Sequence, residues 1–221
     1  MWLRENSELR AAADFNGFER DDSMKKKLMI VTGCPGSGKS CLAERICSRF
    51  PELELISYDT VKEDYFDRYG FDSAADKTRL NNRSLKEFYR ILDGQMEKEK
   101  SILIEYPFCR KHADTLRELA EQHGYSVITV LLTGDMRTLY LRGLRRDDND
   151  KRHPGHLLNR YHRGQPFSEK DWIQAMPFDA YVRMCREKDY NIRLGRTITV
   201  DVTDIRRVDI EKICDDIETA L

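Results

Sequence analysis

A glycine-rich segment near the start of the chain has the residue types and the spacing that bind phosphate groups. Gly33–Ser40 reads GCPGSGKS and matches the pattern G-x-x-x-x-G-K-[ST] at every fixed position. Glycines let the backbone wrap closely around phosphates, so that several N–H groups point inward. In this pattern the lysine neutralises the outer phosphates and the final hydroxyl is a ligand for Mg²⁺. The segment therefore predicts a nucleoside triphosphate site that uses Lys39 and Ser40.

The flanking residues predict the local structure that such a site needs. Leu28–Thr32, before the segment, is a short apolar run of the kind found in buried strands. Cys41–Phe50, after it, places Leu42, Ile46 and Phe50 at four-residue steps, as on one face of a helix. A strand, a turn and a helix in this order put the positive end of the helix at the phosphates. This context favours a phosphate-binding loop over a chance glycine-rich turn.

Length and composition indicate a single soluble domain. The chain has 221 residues, of which 40% are apolar and 35% charged, and its formal net charge is −1. A charge so close to zero gives no general attraction to nucleic acid or to anionic membranes. No stretch reaches the ~18 apolar residues of a membrane span, and the six cysteines form no C-x-x-C pair. We expect a cytoplasmic protein that does not bind membranes. We also expect no binding of nucleic acid outside local basic patches.

Strands alternate with helices along residues 24–221, which we interpret as one domain after an N-terminal extension, residues 1–23, of unknown role. This alternation predicts an α/β fold with a parallel sheet covered on both faces. Ligands of such sheets bind beyond the carboxyl ends of the strands. The predicted strands are 28–32, 53–57, 101–105, 125–132 and 196–202; the predicted helices are 41–50, 61–69, 84–98, 111–123, 135–146, 178–189 and 205–221, with a polar, turn-rich connection at 72–83 and a further helix start at 168–171.

Asp59 follows the second predicted strand, so its carboxylate faces the phosphate-binding loop across the edge of the sheet. An aspartate at that place fits the base that takes the proton of a hydroxyl acceptor in phosphoryl transfer. It equally fits the N-cap of the predicted helix 61–69. Lys62 lies one turn later on the same face, where it either contacts an anionic substrate or is exposed to solvent.

Glu105 ends the third predicted strand, where an acid can hold Mg²⁺ directly or through water. We assign Ser40 and Glu105 to the metal, and Asp59, Lys62, Glu105 and Arg110 to the substrate. Glu105 is also the second candidate for the base.

Arginines are concentrated at the end of the helix predicted after Asp135. Their planar and permanently charged side chains suit the charge that develops on a transferring phosphoryl group, although a solvated basic surface has the same composition. The polar segment that follows, residues 147–166, predicts a mobile lid, within which His153 and His156 have no assigned role. The arginines are Arg142, Arg145, Arg146 and, inside the lid, Arg152.

These features resemble the P-loop small-molecule kinases, which include chloramphenicol phosphotransferase, gluconate kinase, shikimate kinase, zeta-type toxins and predicted kinases of the AAA-type ATPase group. The resemblance covers roughly residues 28–215 and rests on the glycine-rich segment, Ser57–Lys62, Leu139–Arg146 and Asp201–Asp204. It implies a three-layer P-loop sandwich with sheet order 2-3-1-4-5 and a helical lid, with ATP and Mg²⁺ as cofactors and Asp59 as the base. The implied nucleotide ligands are Gly33, Cys34, Pro35, Gly36, Ser37, Gly38, Lys39, Ser40, Cys41 and Arg142; the implied catalytic residues are Lys39, Asp59, Arg142 and Arg146.

The resulting hypothesis is an ATP-dependent phosphotransferase that acts on a small hydroxyl-bearing molecule, as a monomer or a homodimer. Two alternatives stay open: a nucleotide or polynucleotide-end kinase, and a non-catalytic ATP-dependent switch. The near-neutral charge argues weakly against a polynucleotide substrate. The absence of an Asn-Lys-x-Asp motif argues against a guanine-specific switch.

Overall fold

A parallel sheet lies at the centre of the protein. Within residues 26–148 and 152–220, which the computed structural model describes, five parallel strands form one sheet in the order β2-β3-β1-β4-β5. The α/β class and the strand order are therefore confirmed. The predicted extension, residues 1–23, and residues 149–151 of the predicted lid lie outside the described residues. The strands are β1 (Lys27–Gly33), β2 (Glu54–Ser57), β3 (Ile102–Glu105), β4 (Ser126–Thr133) and β5 (Arg196–Asp201).

Helices connect the strands and cover both faces of the sheet. None of the described helices combines the length and the apolar composition that crossing a lipid bilayer requires. The helices are α1 (Lys39–Arg49), α2 (Tyr58–Tyr69), α3 (Ala74–Met96), α4 (Arg110–His123), α5 (Met136–Asp147), α6 (Pro154–Leu157), α7 (Phe178–Lys188) and α8 (Ile210–Glu218), with short 3₁₀ turns at Glu169–Asp171 and Ile205–Arg207.

The side chains of the central strand β1 are buried alternately on the two faces of the sheet. Met29 and Val31 pack with residues of α1, α7 and α8, whereas Leu28 and Ile30 pack with α3 and α4 on the other face. All four side chains are fully buried, as expected for a parallel strand that has helices on both sides. The continuous apolar run in the sequence is thus the signature of a strand at the middle of the sheet.

The prediction of a turn-rich connection at residues 72–83 is wrong, because this stretch forms the first half of α3. Ser73 caps the helix, accepting the backbone N–H of Asp76 at 3.1 Å, and Leu80 is buried under the neighbouring segments. Polar residues dominate here because one side of the helix faces solvent. The predicted last helix is also shorter than expected: residues 205–207 form a 3₁₀ turn before α8. Likewise, Ser168 caps only a single 3₁₀ turn.

The described part of the predicted lid, residues 152–166, is attached to α2 and to the residues that follow it. Phe71 and Tyr161 form a short antiparallel bridge, and Leu158 is fully buried. Gly155 lies so close to Phe66 that a Cβ atom there would come within 2.5 Å of the ring. The polar composition of residues 147–156 predicts that they lie outside the core, which is wrong for Gly155. That the segment moves stays a prediction.

Replacing Gly155 by alanine should weaken this attachment. The added methyl group meets the fully buried ring of Phe66, and overpacking of this kind costs about 1–3 kcal/mol of unfolding free energy. Gly94→Ala in α3 is the matched control, because nothing lies within 4 Å of its added Cβ and alanine favours a helix by about 0.5–1 kcal/mol. Urea denaturation of both variants tests this, and equal shifts of the midpoint would contradict it.

Candidate active site

The phosphate-binding loop connects β1 to α1 at the carboxyl edge of the sheet. Gly36 and Gly38 have φ angles of 84° and 89°, a region that favours glycine. Gly38 precedes α1 without a side-chain cap, so the first N–H groups of the helix stay available to an anion. A Cβ atom on Gly36 would lie 2.1 Å from the carbonyl oxygen of Leu139 in α5, so the loop rests directly on that helix. This local structure is the one that the sequence pattern predicts.

Lys39 is the first residue of α1, and its side chain binds the backbone of the loop. Its Nζ donates hydrogen bonds to the carbonyl oxygens of Gly33 and Cys34 at 3.2 and 3.1 Å. Burial lowers the pKa of Lys39 to about 8; the charge of Glu105 opposes this effect and that of Arg146 adds to it. Lys39 is still mostly protonated at pH 7 and can neutralise phosphate charge.

Glu105 accepts hydrogen bonds from two serines of neighbouring segments. The Oγ of Ser57 lies 2.6 Å from one carboxylate oxygen, and the Oγ of Ser40 lies 3.3 Å from the other. Burial raises the pKa of Glu105, although the hydrogen bond from Ser57 opposes this. The hydroxyl of Ser40 and the carboxylate of Glu105 are hard oxygen ligands, which Mg²⁺ prefers. Among the described residues, no group of three or more His, Cys, Asp and Glu side chains surrounds a metal position.

Asp59 belongs to the first turn of α2. The helix begins at Tyr58, and its N-cap is Ser57, so the interpretation of Asp59 as the N-cap of a helix at 61–69 is wrong. The Asp59 carboxylate lies 3.2 Å from Lys62 Nζ and 3.6 Å from the guanidinium of Arg152. Burial favours the protonated form, but the nearby positive charges prevail and hold the pKa of Asp59 below its usual range. Asp59 is therefore ionised at neutral pH.

The two predicted catalytic arginines occupy different places. Arg142 donates hydrogen bonds to the carbonyl oxygens of Val202 and Thr203, at 2.5 and 3.0 Å, in the loop after β5. The nucleotide-binding role of Arg142 stays a prediction. Arg146 pairs with Asp147 at 2.7 Å and lines a cavity together with Pro35 of the phosphate-binding loop. The catalytic roles of both arginines stay predictions.

The predicted substrate residue Lys62 contacts an aromatic pair, and Arg110 lines a cavity with the same two rings. Lys62 Nζ lies 5.5 and 5.3 Å from the ring centroids of Tyr58 and Tyr106, distances typical of cation–π contacts. The two rings also line a cavity of about 790 Å³, to which Arg110 contributes at the start of α4. Tyr106 was not recognised from the sequence, because no motif identifies it.

Three histidines of the lid segment, whose roles the sequence left open, bind carboxylates of α2 and the turn after it. His153 pairs with Asp67 at 3.0 Å, His156 with Glu63 at 2.8 Å and His162 with Asp72 at 3.0 Å. Lys77 of α3 also donates to the carbonyl oxygens of His156 and Leu158. These contacts hold Arg152 next to Asp59. The pairs join residues about 90 positions apart, so the sequence carries no local signal for them.

A family model described as an AAA domain matches residues 28–165. The chain belongs to the AAA domain family. No protein of curated function matches the chain in sequence. Solved structures resemble it over most of its length, at identities that establish the fold alone. A candidate kinase from Chloroflexus aurantiacus has a TM-score of 0.69 and 23% identity, and the match covers 88% of this chain and 98% of that one.

Two further structures belong to the same group of folds. The tunicamycin resistance protein of Deinococcus radiodurans has a TM-score of 0.51 and 14% identity, with 88% of this chain and 94% of that one covered. The shikimate kinase of Bacteroides thetaiotaomicron has a TM-score of 0.50 and 15% identity, with 87% and 97% covered. The domain and its structural neighbours confirm the resemblance to P-loop small-molecule kinases.

Acidification should weaken the attachment of the lid segment through His156. Burial lowers the pKa of His156 to about 4, although its hydrogen bond to Glu63 opposes this. The unfolded chain therefore binds the proton first as pH falls below about 6.5, and the imidazole lowers the free energy of unfolding by about 2 kcal/mol between pH 7 and pH 5. His156→Gln keeps a donor for Glu63 but removes the titration. Urea denaturation at both pH values tests this; equal pH dependence in wild type and variant would contradict it.

Proposed function

We propose that the protein transfers the γ-phosphoryl group of ATP to a hydroxyl group of a small molecule. The observation that carries the proposal is the meeting of three groups at the carboxyl ends of adjacent strands. Lys39 follows β1, Asp59 follows β2 and Glu105 ends β3, where it bonds Ser40 and Ser57. A phosphate-binding cation, a pair of metal ligands and an ionised carboxylate at one edge are the parts that phosphoryl transfer requires.

The phosphate-binding loop is the donor side of the proposed site. The N–H groups at the start of α1 and the charge of Lys39 bind the β- and γ-phosphates and neutralise them. Ser40 and Glu105 would hold Mg²⁺, which supplies charge neutralisation to the phosphate oxygens when bound. Arg142 in this proposal contacts the nucleotide from the loop after β5, because its guanidinium is bonded to that loop.

Asp59 is the acceptor side of the proposed site. Its ionised carboxylate orients the acceptor hydroxyl and receives its proton, while a bond forms between that oxygen and the γ-phosphorus. The bond from the γ-phosphorus to the bridging oxygen breaks, and ADP leaves. A carboxylate with a low pKa is a weak base, but the loose transition state of phosphoryl transfer asks mainly for orientation. Arg146, close to Lys39, stabilises the charge on the transferring group.

A screen with γ-labelled ATP and Mg²⁺ tests this function. The acceptors are sugars, antibiotics, nucleosides, nucleotide sugars and RNA ends, and the readout is a labelled product. We expect transfer to a small hydroxyl compound. Lys39→Met should abolish this transfer, because the buried ammonium is lost. Lys86→Met, on an exposed part of α3, should leave it unchanged. Labelling confined to RNA ends or nucleotides would instead identify the alternative kinases. ATP hydrolysis that no acceptor stimulates would favour a switch.

Replacing Asp59 by asparagine distinguishes a role in proton transfer from a role in ATP binding. Asparagine is almost the same size and still accepts a hydrogen bond from Lys62, but it cannot take a proton. We expect the transfer rate to fall by about 10²- to 10⁴-fold, while the affinity for ATP changes little. Asp64→Asn is the control, because Asp64 lies on the same helix and, among the described residues, forms its ion pair with exposed Arg68. An unchanged transfer rate in Asp59→Asn would make Glu105 the remaining candidate for the base.

A further inference from the structure

Two cations contact the carboxylate of Asp59, and a third cation binds the lid segment. Lys62 and Arg152 contact Asp59 at 3.2 and 3.6 Å, and half-buried Lys77 binds the lid segment that contains Arg152. We call Lys62, Lys77 and Arg152 the cation cluster. From this arrangement we propose that the acceptor carries an anionic group, a carboxylate or a phosphate, in addition to its hydroxyl, and that Lys62 and Arg152 bind it. This inference rests on the proposed function and names the class of its substrate.

The burial of the two cations is the first argument. The side chain of Lys62 is only 12% exposed and that of Arg152 only 17%. Ammonium and guanidinium groups lose hydration when they are buried, and partners normally replace it. Asp59 and Asp147 are two carboxylates shared among three cations, because Asp147 pairs with Arg146 as well as with Arg152. A ligand that brings its own negative charge would complete the pairing.

Arg152 adds a second, independent argument. Its Nε–H is buried and has no hydrogen-bond partner among the described residues. Its nearest carboxylate contacts, 3.6 Å to Asp59 and 3.8 Å to Asp147, are longer than hydrogen bonds. A buried donor without a partner costs stability. The guanidinium therefore has free capacity for the paired oxygens of a carboxylate or a phosphate, which arginine binds through two parallel hydrogen bonds.

Lys77 is a third cation in this region. Its Nζ is bound to the carbonyl oxygens of the lid segment. Burial lowers the pKa of Lys77 to about 8, and the charges of Lys62 and Arg152 lower it further in the same direction.

The position of the cluster assigns the anion to the acceptor. Lys62 and Asp59 share the first turns of α2, beyond β2, whereas the donor phosphates belong to the loop after β1. An anion held by Lys62 and Arg152 would place a neighbouring hydroxyl of the same molecule next to Asp59. The anion would also compete with Asp59 for the two cations, so the carboxylate becomes a better proton acceptor when the substrate is bound. Binding and activation would thus use the same charges.

A phosphate titration tests the inference without knowledge of the acceptor. The full-length protein is first saturated with Mg²⁺ and a non-hydrolysable ATP analogue, and inorganic phosphate or acetate is then titrated in a calorimeter. We expect binding that Lys62→Met and Arg152→Met each weaken about tenfold and that Asp59→Asn strengthens about tenfold, since this variant frees both cations. Lys86→Met is the exposed control. A preference for phosphate or for acetate identifies the anion.

The affinity for the anion should fall in Lys62→Met and Arg152→Met but rise in Asp59→Asn. These opposite changes exclude a merely structural explanation, because a folding defect would weaken binding in all three variants. Circular dichroism and thermal unfolding check that each variant is folded. If phosphate and acetate do not bind the wild type, or bind the variants equally, the inference is wrong.

Transfer assays distinguish this failure from failure of the proposed function. Acceptors are compared in matched pairs, such as glucose with gluconate and with glucose 6-phosphate. A higher kcat/KM for the anionic member, lost in Lys62→Met, supports the inference. Efficient transfer to the neutral member alone would overturn it and leave the phosphotransferase function standing. Absence of transfer to every acceptor, with normal phosphate binding, would overturn the function instead.

Discussion

Parallel pairing of β1, β2 and β3 is the constraint on which the candidate site depends. In the register of these strands, Glu105 is the partner of Val31 in β1 and of Ser57 in β2. Three strands that run in the same direction must end at the same edge, so residues far apart in sequence meet there. A shift of β3 by one residue would turn the Glu105 side chain to the other face of the sheet. The contacts of Glu105 with both serines would then be lost.

The sequence predicted those parts of the site that depend on local pattern. The loop and its flanks were identified because glycine spacing, an apolar strand and a helical period coincide within about 20 residues. The edge positions of Asp59 and Glu105 followed from the alternation of strands and helices. The start of α2 was misplaced by three residues, because Tyr58 and Asp59 resemble the end of a connection, and the capping interpretation of Asp59 failed with it.

The remaining features depend on contacts between distant segments. The polar first half of α3 has no clear apolar period, since its buried side chains meet the lid segment rather than the main core. The hydrogen-bond partners of Arg142 could not be predicted either, because they are backbone carbonyl groups of the loop after β5. Histidine–carboxylate pairs between the lid and α2 are equally non-local. A single sequence identifies such groups as polar but not as partners.

The contact between Gly36 and α5 has a mechanical consequence. The backbone of the loop touches the carbonyl group of Leu139 and approaches the N–H of Gly143 with no side chain between them. Two backbones in such contact cannot slide independently, because closely packed atoms resist compression. A displacement of the loop would therefore also displace α5. Arg146 lies in the last turn of α5, so its guanidinium would change position together with the loop.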